Sequence, residues 1–274
     1  MLPSYLLSLR EGIEAALIVG ILLGAVRQMK RTDLITVVWL GTLSAGALSI
    51  LTAVLLTTFG LEMKDPGEAI FEGFTMLIAA GLLTWMIFWM SRQARFLKTN
   101  LEAEIHQASK LGQRAIFFVA FVAVLREGIE LALFLTASVF VSTSLQTTVG
   151  AFLGLGTAIL LGWSIFASTV RLDLRRFFQV TGVMLVLFAA GLFAHGVHEF
   201  TEVGWIPAII DPVWDFTSII SKESILGQLL SALFGYNPSP TLSEMIAYVA
   251  YFVTIGIGLQ WAGQRPRKEA QAQA

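Results

Sequence analysis

Apolar residues run in long blocks along this chain, and polar residues collect in the gaps between them. A helix that crosses a bilayer needs about 20 mostly apolar residues. Seven blocks reach that length, at 5–27, 35–59, 69–90, 115–141, 148–170, 177–198 and 243–262. They predict an all-α polytopic membrane protein with seven transmembrane helices. Two blocks break their own pattern. The first contains Arg10-Glu11-Gly12-Ile13-Glu14, and the fourth contains the same five residues as Arg126-Glu127-Gly128-Ile129-Glu130. Charges in hydrocarbon are costly and normally face a bundle interior or a water-filled path. Two identical clusters of one arginine and two glutamates therefore read as a transport site for a cation.

The pentapeptides also reveal a repeat. Arg10 maps to Arg126 at an offset of 116, Gly41-Thr42 to Gly156-Thr157 at 115, and Ala79-Ala80-Gly81-Leu82 to Ala189-Ala190-Gly191-Leu192 at 110. Spans one to three thus resemble spans four to six. Three is odd, so the second unit enters the membrane from the opposite side, giving a 3+3 inverted repeat plus a C-terminal helix. Such repeats are typical of secondary transporters, with sites near the midplane. The expected layout is a single permease domain over 1–262. Repeat one covers 1–91, repeat two 115–200, an extracytoplasmic segment 201–242 and the last helix 243–262, with a cytoplasmic tail at 263–274. Gly20 and Gly24, and Gly150 and Gly154, are spaced for close helix approach.

Charge orients the helices. Of 18 basic residues, 14 lie in the gaps after spans one, three and five or beyond span seven: Arg27, Lys30, Arg31, Arg92, Arg95, Lys98, Lys110, Arg114, Arg171, Arg175, Arg176, Arg265, Arg267 and Lys268. The opposite side has only Lys64 and Lys222. The positive-inside rule places the N-terminus outside and the C-terminus inside. Acidic residues favour the outer side, at Glu62, Asp65, Glu68, Glu199, Glu202, Asp211, Asp215, Glu223 and Glu244, which raises local cation concentration. Residues 92–114 read as a solvated cytoplasmic connector, partly helical. Residues 203–242 are too apolar for a free loop, and 222–235 is expected to form a helix at the outer interface. The tail from 264 reads as disordered.

Composition agrees: 56% of the 274 residues are hydrophobic and 14% charged, with mean hydropathy +0.76. The absence of cysteine excludes disulfides, thiolate metal sites and cysteine nucleophiles. Any metal site must use oxygen or imidazole, and the N-terminal block reads as a span and not a cleaved signal.

On a helix, Glu11 and Glu14 are three apart and Arg10 and Glu14 four apart, so both pairs are neighbours on one face. Each motif carries a net charge of -1. In an inverted repeat, Glu11, Glu14, Glu127 and Glu130 can meet around one path, with Arg10 and Arg126 balancing part of their charge. Gly12 and Gly128 leave a notch for another helix or a hydrated ion. Carboxylate oxygens suit hard cations. The arginines can hold the glutamates ionised and can weaken binding enough for release. The competing reading is a pair of structural Arg–Glu bridges. Glu68 and Glu72, at the outer start of span three, are candidates to collect a cation. So is the cluster of His195, His198, Glu199 and Glu202 at the outer end of span six, with two i, i+4 His–Glu pairs. The paired Glu-x-x-His arrangement of a bundle-core di-iron oxidase is absent, and no nucleotide-binding motif is present.

With its twin Arg-Glu-Gly-x-Glu motif, the chain resembles the oxidase-dependent iron transporter family, which takes in bacterial EfeU-type and fungal high-affinity iron permeases. Supporting stretches are Ile70-Phe71-Glu72-Gly73, Leu83-Thr84-Trp85-Met86-Ile87-Phe88-Trp89-Met90 and Leu233-Phe234-Gly235-Tyr236. The resemblance implies an iron permease of the bacterial inner membrane, multi-pass, with seven spans and an outside N-terminus. It implicates the four motif glutamates and both arginines in iron passage, and Glu72 and Glu202 match acidic positions of the family. It implies iron as substrate with no permanently bound cofactor. It also implies an extracytoplasmic partner that delivers or oxidises iron: an Efe-type periplasmic protein, a peroxidase or a copper oxidase. No nucleic acid is expected as partner, and a homo-oligomer stays open. Alternatives are a permease for another hard or borderline divalent cation, such as manganese or lead, and a membrane di-metal oxidase.

Overall fold

The structure is a computed structural model that describes residues 1–62, 64, 66–93, 97–167, 174–221 and 224–272. Asp65, Arg95, Arg171, Lys222 and Glu223, part of the charge pattern above, lie outside the described residues. Among those described, the regular structure is helical. The helices are α1 (Leu2–Gln28), α2 (Ile35–Glu62), α3 (Gly67–Gln93), α4 (Leu97–Leu111), α5 (Gln113–Val141), α6 (Ser144–Ala167), α7 (Leu174–Glu202), α8 (Ile225–Phe234) and α9 (Leu242–Ala272). Stretches long and apolar enough to cross a membrane cover Thr32–Gly60, Gly67–Phe88, Ser144–Ser164 and Phe177–Glu202, and a shorter apolar stretch covers Leu242–Gly258. In α1 and α5 the arginine and two glutamates of the motif interrupt the apolar run. Leu43, Ile50, Leu51, Val54 and Leu55 of α2 are exposed. An apolar helix with such a face is suited to lipid. This is a polytopic membrane architecture.

The chain forms two compact units, Met1–Glu62 with Gln93–Thr181, and Met63–Arg92 with Gly182–Ala274. In the first, each motif helix lies along a seam of small residues. On α6 these are Gly150, Gly154, Ala158 and Gly162. Gly150 takes the Met1 carbonyl, Gly154 the Tyr5 carbonyl, Ala158 the Gly12 backbone and Gly162 the Ala16 methyl. On α2, Gly41 takes the Phe117 carbonyl and Ala120, and Ser49 takes Gly128. Without side chains between them, backbones approach closely, and packing contacts replace the missing hydrophobic drive. Both pairs run parallel, because contacts advance along both helices together.

The two packings match each other, and they correct the repeat register. Gly12 meets Ala158 and Gly128 meets Ser49; Met1 to Tyr5 meet Gly150, and Phe117 to Phe121 meet Gly41. Gly128 follows Gly12 by 116 residues, as expected, but Ala158 follows Ser49 by 109, and Gly150 follows Gly41 by 109. The Gly41-Thr42 match to Gly156-Thr157 at 115 is therefore six residues out of contact register. Gly156 meets nothing within 4 Å, so its likeness to Gly41 has no packing counterpart. Gly24 likewise faces open space.

α4 departs from the expected solvated connector. Its Leu101, Ile105 and Ala108 are buried with Ile18, Leu22 and Val26 of α1, Leu34 and Val38, and Ile116 and Ala120 of α5. Glu104 stays exposed. Apolar residues at i, i+4 and i+7 give the helix one inward stripe. The C-terminal half of α1 and the N-terminal half of α5 share this cluster, so the two motif helices run in opposite senses.

In the second unit, Gly73 of α3 abuts the Gly196 carbonyl and the Phe200 ring of α7, at 3.1–3.2 Å from a Cβ built on it. Beyond this contact the Phe200 and Trp205 rings stack, and Phe74 meets both edge to face. Thr84 Oγ1 and Tyr251 Oη, 2.8 Å apart, join α3 to α9. The segment after α7 is tied down by Val213 N–H to the Pro240 carbonyl (2.9 Å), Phe216 N–H to Pro238 (2.8 Å) and Leu242 N–H to Ile210 (3.0 Å). The helix expected at 222–235 is α8, apart from residues 222 and 223, which lie outside the described residues. Ser224 Oγ accepts from Gly227 N–H at 3.0 Å to start it, and Gly235 ends it at φ 65°, the left-handed cap glycine favours. α9 runs on to Ala272, against the expectation of a disordered tail. Gly263 and Pro266 oppose the helix there, but the other residues are Arg, Lys, Glu, Gln and Ala, all helix formers, and extending an existing helix needs no new nucleus.

Candidate metal-binding site

The motif residues are placed by helix periodicity and then by packing. Arg10 Nε donates to Glu14 Oε1 at 3.1 Å, and Arg126 Nε to Glu130 Oε1 at 3.2 Å, each pair at i, i+4. Charged donors and acceptors at this distance make strong hydrogen bonds. Close packing at Gly12 and Gly128 brings the motif helices into the unit. A Cβ on Gly12 would lie 2.6 Å from Ala158 Cβ, so the notch left by each glycine holds a neighbouring helix, not an ion.

Glu11, Glu14 and Glu127 converge. One oxygen of each lies within 4.8 Å of the other two, and all three residues are buried. They form the set of three acidic or imidazole groups among the described residues able to share one metal ion. Both oxygens of Glu11 are buried with no cationic donor on them among the described residues, and the group within hydrogen-bond reach is another acid, Glu127. Buried carboxylates that face each other are expensive, and a cation between the three oxygens would offset that cost. Glu130 stands beside the set, near enough to act electrostatically on Glu11, Glu14 and Glu127, but held by Arg126. Arg10, Glu11, Glu14 and Glu127 together carry two more negative charges than positive ones, an excess a divalent cation would neutralise.

The second unit gathers the outer candidates. Glu72 is half-buried, and Glu68 and Glu202 are close enough to repel it. His198 Nε2 lies 3.3 Å from Glu202 Oε1 and its Nδ1 3.6 Å from Glu244 Oε2. His195 is buried, with Nδ1 3.0 Å from the Gly191 carbonyl. Sequence reasoning counted Glu244 only as an outer acid and passed over Asn237, whose amide donates to Glu244 at 2.9 Å. Neither has a helical spacing to His198, so nothing in the sequence pattern links them.

Acids outside the spans are conventional by comparison. The Thr217 hydroxyl and N–H hold the Asp215 carboxyl below its ordinary range, and Arg31 does the same for Asp33 at 3.1 Å. Both are satisfied surface ions with no unmet demand for a cation.

The profile of the Iron permease FTR1 family matches residues 1–262. The chain is 34% identical over 256 residues to the ferrous iron permease EfeU of Escherichia coli O157:H7, covering 92% of this chain and 93% of that protein. It is similar at the same identity and coverage to EfeU of Shigella sonnei. To EfeU of Yersinia pestis it is 34% identical over 92% of this chain and 91% of that protein. No solved structure gives a significant match.

Proposed function

The chain belongs to the iron permease FTR1 family and is a multi-pass membrane transporter, not an enzyme; from that premise we propose that it carries iron inward through the carboxylates of its two motifs. Glu11, Glu14, Glu127 and Glu130 are the groups that replace water around the ion, and Arg10 and Arg126 balance charge and favour release. The observation that carries this is the convergence of Glu11, Glu14 and Glu127 from two helices within 4.8 Å. One motif supplies two of those oxygens, and the third requires the other. The names of the relatives support ferrous iron as the transported form.

In this reading the chain has seven spans in a 3+3 inverted repeat plus α9, with the N-terminus outside, in the bacterial inner membrane. Opposite senses of α1 and α5, and the matched packing of α1 on α6 and α5 on α2, support it. Iron meets Glu68, Glu72, His198, Glu199 and Glu202 before the motif glutamates. It is substrate and not resident cofactor. An extracytoplasmic protein that delivers or oxidises iron works with the permease at the outer segment, whose Trp205, Ile209, Trp214 and Phe216 are exposed. Replacing Glu14 or Glu130 with alanine is expected to abolish cellular iron accumulation while leaving the protein in the membrane by immunoblot. Normal accumulation in both variants would remove the site assignment. Competition of labelled iron uptake by manganese and lead separates iron from the other hard or borderline cations the oxygen ligands could accept.

A further inference from the structure

Glu244 opens α9 and is 3% exposed. Its Oε2 accepts from Asn237 Nδ2 at 2.9 Å and faces His198 Nδ1 at 3.6 Å. The other edge of the same ring, Nε2, faces Glu202 Oε1 at 3.3 Å. The Glu202 side chain is 61% exposed, and it is close enough to Glu72 to repel it. So one imidazole edge looks at a buried, fixed carboxylate and the other at the open carboxylate of Glu202, which can reach an incoming ion.

We propose that Glu244 is a positioning residue for the outer iron-receiving site, accepting the Nδ1 proton of His198 and so turning the Nε2 lone pair toward iron held by Glu202 and Glu72. This rests on the reading of His198, Glu202 and Glu72 as that site. A neutral imidazole has one N–H and one lone pair, and the partner of one nitrogen decides which is where. A carboxylate behind a metal-bound histidine fixes the tautomer and raises the basicity of the ligand. Glu244 is too enclosed to be the ligand that meets the ion first. The 3.6 Å separation exceeds a hydrogen bond, and the opposite nitrogen lies nearer its own carboxylate, at 3.3 Å from Glu202. Iron entering between Nε2 and Glu202 ends that contact, and the ring then closes on Glu244. The competing role, anchoring the start of α9 through Asn237, predicts lost stability and no change in iron affinity.

The test uses the full chain carrying Glu11→Ala and Glu127→Ala, which removes two of the three converging motif oxygens, keeps the Arg10–Glu14 and Arg126–Glu130 pairs and leaves the outer site. Anaerobic binding of ferrous iron to this purified parent is measured with and without further substitutions. The parent is expected to bind at one saturable outer site that His198→Ala abolishes. Glu244→Leu is expected to weaken it by about 10- to 100-fold. Glu244→Gln, whose amide oxygen still accepts the Nδ1 proton, should recover most of that loss. No outer binding in the parent, or unchanged binding in His198→Ala, would overturn the receiving site and this role with it. Binding lost in His198→Ala but unchanged in Glu244→Leu would overturn the role of Glu244 alone. Should Glu244→Leu fail to fold, nitrogen-15 spectra of the zinc-loaded parent decide. The chain has 3 histidines, and His198 is expected with Nδ1 protonated and Nε2 metal-bound. Metal on Nδ1 would overturn the proposal.

Discussion

Arg10 to Glu14 and Arg126 to Glu130 are the same five residues, and their arginine–glutamate contacts differ by 0.1 Å, at 3.1 and 3.2 Å. Their surroundings differ much more. The Arg10 side chain is 2% exposed and that of Arg126 45%. Glu11 and Glu14 both join the three-oxygen set, whereas only Glu127 of the second motif does. Helix periodicity, which is written in the pentapeptide, sets the contact inside each motif. Packing against other helices, which is not, sets how much of each reaches solvent or lipid. The two copies are therefore unequal parts of one carboxylate cluster, with the first supplying two of its converging oxygens and the second one.

The arginines test that inequality most strongly. Arg10→Ala removes the partner of a buried carboxylate, a loss of about 3–5 kcal/mol, and should sharply lower the amount of folded protein in membrane extracts. Arg126→Ala breaks a pair whose arginine is half-exposed, so it is expected to cost less, and folded protein should stay nearer to normal by size-exclusion chromatography. Equal losses would erase the distinction between the motifs.

The glycines probe the packing that the two motifs share. Gly12→Ala drives a methyl into Ala158, and Gly128→Ala drives one into Ser49. Overpacking of this kind costs about 1–3 kcal/mol, read as a lower melting temperature in detergent. Ala158→Gly should restore the first variant and Ser49→Gly the second, while exchanging the two rescues should restore neither. Rescue by the wrong partner would refute the 109-residue correspondence between α2 and α6. The smallest effect is expected from Ser49→Ala, which makes the neighbour of Gly128 equal to that of Gly12. Ser49 Oγ already bonds its own helix at the Ala45 carbonyl, 2.8 Å away. Melting temperature should move by less than about 1 kcal/mol equivalent and uptake should hold.

The sequence carried the helices and the motif because both depend on local pattern: apolar length for one, i, i+4 spacing for the other. It misplaced the register of the second span by six residues. A Gly-Thr pair looks alike wherever it falls in an apolar helix, and only contact shows that Gly41 corresponds to Gly150. The stripe of Leu101, Ile105 and Ala108 was available to mark α4 as packed, but the charges around it read as solvated. Convergence of Glu127 on Glu11 and Glu14, and of Glu244 on His198, joins residues far apart in the chain and is visible only in three dimensions.

The most direct measurement is ferrous iron flux into sealed proteoliposomes, under fixed redox conditions and proton gradient, for the wild type and Glu127→Ala. This substitution removes the one oxygen that the second motif adds to the first. The account predicts iron accumulation with the wild type and none above empty vesicles with the variant, reconstituted at equal amount. Undiminished flux in Glu127→Ala would contradict a site built jointly from both motifs.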